Sequence, residues 1–317
     1  MSTKISIIIP SAPERRATGI LSNLIDVKPA KCAFEIFIIK GTWPPLQRNI
    51  GIQKAAGEYI FFFDDDVIIP KGSMEKALET FQKNPRTQAV GGPNLTPKNS
   101  SFMQQCFGHM HASPFAGFKT VTRYRISKNL KKVNENNLTT CNLAFRTKIL
   151  KENHFRTDFY ANEENELLGR ILRKGNLLAY NPDFIVYHER RKNIWQYIKQ
   201  IFKWGEGRTQ HFLKRPAHFK PVFFIPLLFL FYLLGIPWLH SRLYFMPFFH
   251  YIFLALLFTA RIAWTEKKMA YFMALPWLFF ITHATYAAGT LSGFATVFIR
   301  KKLPDEKDFH VIKIDIN

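Results

Sequence analysis

Tyr59-Ile60-Phe61-Phe62-Phe63-Asp64-Asp65-Asp66-Val67-Ile68-Ile69 is the stretch on which the reading of this chain turns. Its first five residues form a short apolar run, which predicts a buried strand rather than a helix. Three like charges are too costly to bury, so the acids must stand where the strand ends. Clustered carboxylates are hard oxygen donors, suited to Mg²⁺ or Mn²⁺. In open α/β sheets, ligands bind beyond the carboxyl ends of strands. The stretch therefore points to a metal-dependent site for a phosphorylated ligand, with a solvated acidic turn as the plain alternative.

The flanking sequence alternates strand and helix patterns. Upstream, Ile5 to Ile9 reads as a buried strand ended by Pro10, and Arg16 to Leu24 as a helix. Phe34 to Ile39 is a strand before Gly41, Trp43-Pro44-Pro45 a loop, and Gln47 to Ala56 a helix closed by Gly57. Downstream, a helix begins at Ser73 and stops at Asn84-Pro85, and Gln88 to Val90 is a short strand. Pro93 to Asn137 carries no clear period and reads as a substrate-facing excursion. Thr139 to Arg146 resumes as a strand, Glu163 to Lys174 is a helix closed by Gly175, and Leu177 to Tyr180 and Phe184 to Tyr187 are the last strands. Such alternation predicts a parallel sheet with helices on both faces.

The charge distribution divides the chain. Residues 1–220 carry 35 Lys/Arg and 18 Asp/Glu, whereas residues 221–317 carry 9 and 5, which implies two different solvents. Val222 to Leu239 and Leu243 to Ala260 are uncharged over 18 residues each, and Met269 to Ile299 over 31. Stretches of about 20 apolar residues are long enough to span a bilayer core. Trp238, Tyr244, Trp264, Tyr271 and Trp277 stand near their ends, as an interfacial aromatic belt would. Met1-Ser2-Thr3-Lys4 opens no signal peptide, so the expectation is a multi-pass protein of the inner (cytoplasmic) membrane with residues 1–192 in the cytoplasm. Lys214, Arg215, Lys220, Arg261, Lys267 and Lys268 agree with that side, but Arg300-Lys301-Lys302 conflicts with three full spans.

Cys32, Cys106 and Cys141 show no disulfide or zinc spacing and read as ordinary thiols. The net charge of +21 comes without a nucleic-acid recognition motif, so no nucleic-acid partner is expected. Lys119, Arg123, Arg125, Lys128, Lys131 and Lys132 form one basic cluster, readable as a solvated face. A second, from Arg190 to Lys220, leads into the first apolar stretch, where anionic headgroups or a lipid-linked phosphate would meet it.

Six pieces in this order resemble a family-2 glycosyltransferase of the GT-A fold. They are Ile5 to Ser11, Arg48-Asn49-Ile50-Gly51, Asp64-Asp65-Asp66, Cys141 to Arg146, Asn162 to Leu167, and Gln200-Ile201-Phe202-Lys203-Trp204. With the apolar C-terminal region, the chain is similar to membrane-anchored enzymes of exopolysaccharide and lipid-linked glycan assembly. The resemblance implies an α/β, Rossmann-like mixed sheet followed by an α-helical membrane domain. The expected division is a catalytic domain over 1–192, an amphipathic interfacial helix and basic linker over 193–220, membrane helices over 221–302 and a polar tail over 303–317.

It also implies roles. Asp66 and Asp64 would hold Mn²⁺ or Mg²⁺ on the donor diphosphate, with His188 as a third ligand, while Asp64 and Asp65 face the nucleotide-sugar. Pro10, Ser11, Glu14, Lys40 and Arg48 would line the nucleotide pocket. Relatives carry an Asp where this chain has Lys40, which leaves the base open, with a UDP-sugar foremost. Glu164, or else Glu163, would be the general base on the acceptor hydroxyl, because sugar hydroxyls are weak nucleophiles. Gln200, Lys203, Trp204 and Arg208 would meet the acceptor and diphosphate, and the acceptor would be lipid-linked. A processive polysaccharide synthase and a catalytically inactive, membrane-tethered sugar-nucleotide-binding scaffold are the competing expectations.

Overall fold

The computed structural model describes residues 3–29, 32–128, 130, 132–159, 161–216, 219–238, 241–297 and 303–316. Lys131, Leu239, Ile299 and Arg300-Lys301-Lys302 lie outside them. The chain forms two compact units. One comprises residues 1–97, 122–189 and 301–317, and the other residues 98–121 and 190–300.

The first unit is a seven-stranded mixed sheet. Its strands are β1 (Thr3–Ser11), β2 (Cys32–Lys40), β3 (Tyr59–Phe63), β5 (Thr87–Gly91), β7 (Asn142–Arg146), β8 (Leu177–Tyr180) and β10 (His310–Ile316), in the order β10-β2-β1-β3-β7-β5-β8. Strands β1, β2 and β3 run parallel, whereas β7 is antiparallel to β3 and β5, and β10 to β2. A second sheet joins β4 (Val67–Ile68), β6 (Asn94–Leu95) and β9 (Val186–His188) in the order β4-β9-β6. Helices α1 (Thr18–Asp26), α2 (Pro44–Lys54), α3 (Ser73–Lys83), α6 (Thr147–Glu152) and α7 (Glu163–Arg173) complete the unit.

Strand β3 is buried on both faces, which explains its unbroken apolar run. Phe61 and Phe63 pack with Ile5, Ile7, Phe81 and Phe184 on one face. Ile60 and Phe62 pack with Ile8, Phe145, Phe155 and Leu168 on the other. The sheet thus has two cores, and the acids begin where both end.

Four sequence expectations change. Strand β1 does not stop at Pro10: Pro10 pairs with Ile39 and Ser11 with Lys40. Strand β3 accompanies β1 only as far as Ile8, so Pro10 lies where the strand has one neighbour and a missing N–H is tolerated. Pro44 and Pro45 open α2 instead of forming a loop, because the first helical N–H groups have no intrahelical acceptor. The excursion from Pro93 contains a helix, α4 (Phe102–Ala112), set by a Ser101/Gln104 capping box. The tail from 303 is no free tail: β10 covers the edge of β2 from Lys40↔His310 to Phe34↔Ile316.

The second unit is helical. It holds α4, the short α5 (Pro114–Gly117), α8 (Ile194–Lys214), α9 (Ile225–Gly235), α10 (Met246–Thr265) and α11 (Tyr271–Thr296). Helices α8 and α11 approach through glycine. A Cβ on Gly205 would meet the Tyr286 carbonyl oxygen at 2.2 Å, and one on Gly289 the Phe202 carbonyl oxygen at 2.1 Å. Among the described residues, one helix, Arg242–Thr265, is long and apolar enough to cross a membrane by length and composition, and Pro221–Gly235 is a shorter apolar helix.

Candidate active site

The register of the two sheets assembles the site. Phe63 pairs with Asn142 across β3 and β7, so the residues just beyond, Asp64 and Cys141, become neighbours. Val67 pairs with His188 across β4 and β9, which brings the imidazole back to the acidic turn. The Cys141 thiol donates to Asp64 Oδ2 at 2.8 Å and lies 3.6 Å from His188 Nδ1. His188 Nε2 lies 3.1 Å from Asp66 Oδ1. The donor atoms of Asp64, Cys141 and His188 all fall within 4.8 Å of one another.

Asp65 and Asp66 are tied to the first strand. Ser11 Oγ donates to Asp65 Oδ2 at 2.7 Å, and Arg15 bridges Asp65 to Asp66, 2.9 Å from Asp66 Oδ2. Burial alone would raise the Asp66 carboxyl, but His188 and Arg15 outweigh it and hold it well below the usual carboxylate range. Lys40 Nζ donates to Ser11 Oγ at 3.2 Å, and Gln47 Nε2 to the Ser11 carbonyl at 2.9 Å. Pro10, Ser11, Lys40 and Asp65 therefore form one wall, with Glu14 exposed in the loop after β1. Carboxylate and imidazole donors fit a divalent cation. The donor atoms of Asp64 and His188 converge, with the Cys141 sulfur among them, while Asp66 meets the far nitrogen of the imidazole.

Glu163 and Glu164 open α7 behind Asn162, whose φ of 61° lies in the left-handed region. Both are buried, where the positive end of the helix favours acids. Each has its own arginine: Arg48 Nη1 contacts Glu163 Oε1 at 2.5 Å, and Arg123 Nη1 contacts Glu164 Oε1 at 3.2 Å. Burial, with the charge of Glu164 beside it, pushes the Glu163 carboxyl up to about 7 in spite of Arg48.

Several expectations shift on this geometry. Arg48 is buried against Glu163 and Thr140 Oγ1, not open to a nucleotide pocket. Arg123 is no solvated cation: it also donates to Asn165 and to the Asn136 and Glu135 carbonyls. Arg15, which the sequence does not single out, reaches Asp65 and Asp66 from the loop after β1, and Cys141, which the sequence offers only as an ordinary thiol within a motif, reaches Asp64 through the β3–β7 register. In the helical unit, Gln200, Trp204 and Arg208 recur every four residues of α8 and share a face, with Lys203 beside them. Trp204 packs on the His111 ring at 5.0 Å, and the Arg208 guanidinium lies 4.1 Å from the Phe223 ring centroid.

Comparison with known proteins gives the chain its relatives. Residues 33–153 match the family model described as Glycosyl transferase family 2. An uncharacterized glycosyltransferase of Haemophilus influenzae is 33% identical over 78 residues, which are 25% of this chain and 30% of that protein. The match thus spans less than a third of the length of that curated relative. Among solved structures, the mannosyltransferase PcManGT from Pyrobaculum calidifontis, in complex with GDP-Man and Mn²⁺, superposes with a TM-score of 0.58 at 14% identity, over 93% of this chain and 88% of that one. At that identity the likeness concerns the fold.

Proposed function

Starting from the Glycosyl transferase family 2 domain that residues 33–153 carry, we propose that the chain is an inverting glycosyltransferase that uses a nucleotide-diphosphate sugar. The observation that carries this reading is the convergence of Asp64 and His188 beyond the carboxyl end of β3, with Asp66 on the far nitrogen of the imidazole and the wall of Ser11, Lys40 and Asp65 beside them. Lys40 and the β1 terminus receive the nucleotide. Asp64, Asp66 and His188 would hold a divalent cation, and the charge neutralisation that such an ion supplies would make the diphosphate a competent leaving group. Asp65, fixed by Ser11 and Arg15, keeps the acidic turn in register with β1. Glu164 takes the proton of the attacking hydroxyl, and Arg123 holds its carboxyl group in place. Glu163, anchored by Arg48, is the second carboxyl of the pair.

The acceptor is a lipid-linked saccharide at the cytoplasmic membrane face, met by Gln200, Lys203, Trp204 and Arg208. Exposed apolar side chains on α9 and α10, among them Leu228, Phe231, Phe249, Phe253 and Leu257, support a lipid-facing role for these helices. The place of β10 in the catalytic sheet supports an even number of full crossings, because residues 310–316 must lie on the same side as β2. Three full spans are therefore disfavoured, in agreement with the basic run Arg300-Lys301-Lys302 in the sequence.

The test is donor turnover by the full chain in detergent, with Mn²⁺, a panel of UDP-, GDP- and TDP-sugars and a membrane lipid extract. Release of one nucleoside diphosphate is expected to need the metal, to vanish in Asp64→Asn, and to fall by about 10²–10⁴-fold in Glu164→Gln. Donor binding without turnover, indifferent to both variants, would replace this reading by that of a sugar-nucleotide-binding scaffold.

A further inference from the structure

Cys141 has no part in the proposed transfer, yet its sulfur stands among the donors. A thiol suits neither Mg²⁺ nor Mn²⁺, whereas thiolate, imidazole and carboxylate together are a zinc donor set. The spacing agrees. With Zn–S at about 2.3 Å and Zn–N at about 2.0–2.1 Å, a tetrahedral ion holds sulfur and nitrogen about 3.6 Å apart. Cys141 Sγ and His188 Nδ1 are 3.6 Å apart.

The other face of the ring agrees too. His188 Nε2 points at Asp66 Oδ1 at 3.1 Å, so the Nε2 proton goes to the carboxylate and the Nδ1 lone pair is left for a metal. Metal-ligating histidines are commonly oriented by such an outer carboxylate. Asp66 is itself held by Arg15.

We propose that Asp64, Cys141 and His188 Nδ1 form a thiolate-bearing site for Zn²⁺, in which Asp66 orients the imidazole from outside. Binding releases the Cys141 Sγ proton to solvent and leaves a fourth position to water or substrate. Asp64 and His188 belong both to this set and to the set that would hold Mn²⁺. The two cations therefore exclude each other, and zinc acts as an inhibitor of the metal-dependent activity.

Co²⁺, a spectroscopic stand-in for Zn²⁺, tests this on the full chain in detergent without reference to turnover. One equivalent is expected to give a near-ultraviolet sulfur-to-cobalt charge-transfer band, bleached by one equivalent of Zn²⁺. Cys141→Ser should abolish the band and Cys106→Ala should keep it, each variant folded by near-ultraviolet circular dichroism. Asp66→Asn should keep the band but weaken Co²⁺ binding by about 10–100-fold, as loss of an outer partner does. Zinc should also release bound Mn²⁺, seen as a rise in the resonance signal of the free ion. A band that survives Cys141→Ser, or a folded wild type that gives no band, overturns the site. A band that forms while Mn²⁺ stays bound overturns the exclusion.

Discussion

The Arg48–Glu163 pair offers a test in which pH reports on burial. Both side chains are nearly sealed, 6% and 8% exposed, and they touch at 2.5 Å. At a charge separation of about 4 Å and an effective dielectric constant of about 20, the attraction is about 4 kcal/mol. In Arg48→Met that attraction disappears, while Met keeps some of the packing that the guanidinium makes over the Phe155 ring. The orphaned carboxyl then escapes its penalty by holding a proton. Glu163 is already raised to about 7 with Arg48 in place, against an ordinary value of 4.5, so the folded state binds this proton more tightly than the unfolded one. For such a group, stability is full below the unfolded value and falls as pH rises towards the folded value. In the wild type that fall ends near 7. In Arg48→Met the folded value moves higher, and the fall continues at about 1.4 kcal/mol per pH unit. Between about pH 7 and about pH 9 the variant should lose about 2–3 kcal/mol more than the wild type. Thermal melts followed by tryptophan fluorescence across that range read the difference. The double variant Arg48→Met/Glu163→Gln should lose the pH dependence. A destabilisation equal at both ends of the range would refute the reasoning, since it would mean that no buried carboxyl is orphaned.

Three further outcomes are expected. Gly289→Ala should destabilise the helical unit by about 1–3 kcal/mol, because α8 and α11 must part to admit the methyl group, whereas Gly235→Ala, with open space around its Cβ, should be silent in the same melt. Glu35, which is 1% exposed, accepts from Ser6 Oγ at 2.5 Å and from the Ala56 and Gly57 N–H groups. Burial would raise its carboxyl, but Ser6, Ala56 and Lys4 outweigh burial and lower it, so the stabilisation it provides is present above 4.5 and lost as pH falls below that. Glu35→Gln should therefore cost about 1–3 kcal/mol near neutrality, with the gap in melting temperature closing in acid. Deleting residues 310–316 should bare the β2 edge and turn a monodisperse preparation into an aggregating one, read by light scattering.

What the sequence disclosed and what it withheld follow one rule. Strand β3, the acids beyond it and the acidic start of α7 were readable because each is a local pattern: an apolar run, a charge cluster, a helix N-terminus. His188 was readable as a donor by resemblance, and α8 as an amphipathic interfacial helix within the same expected division. The partners of these groups were not readable, because each arrives from far along the chain. Arg15 lies 50 residues from Asp65, Arg48 lies 115 from Glu163, and Cys141 lies 77 from Asp64. Arg123 looked like one more solvated cation because burial is not a property of a residue's neighbours in sequence.

Cys141 shows how much depends on register. The thiol stands at Asp64 only because Phe63 faces Asn142 across β3 and β7. A slip of one residue in that pairing would turn every β7 side chain to the opposite face, taking Leu143 and Phe145 out of the core they share with Phe62. The core that fixes this register therefore also fixes the sulfur among the metal donors. The soft ligand is thus secured by packing on the face that carries Phe62, Leu143 and Phe145, and a substitution such as Phe145→Ala should loosen Co²⁺ binding although the ring itself touches no donor.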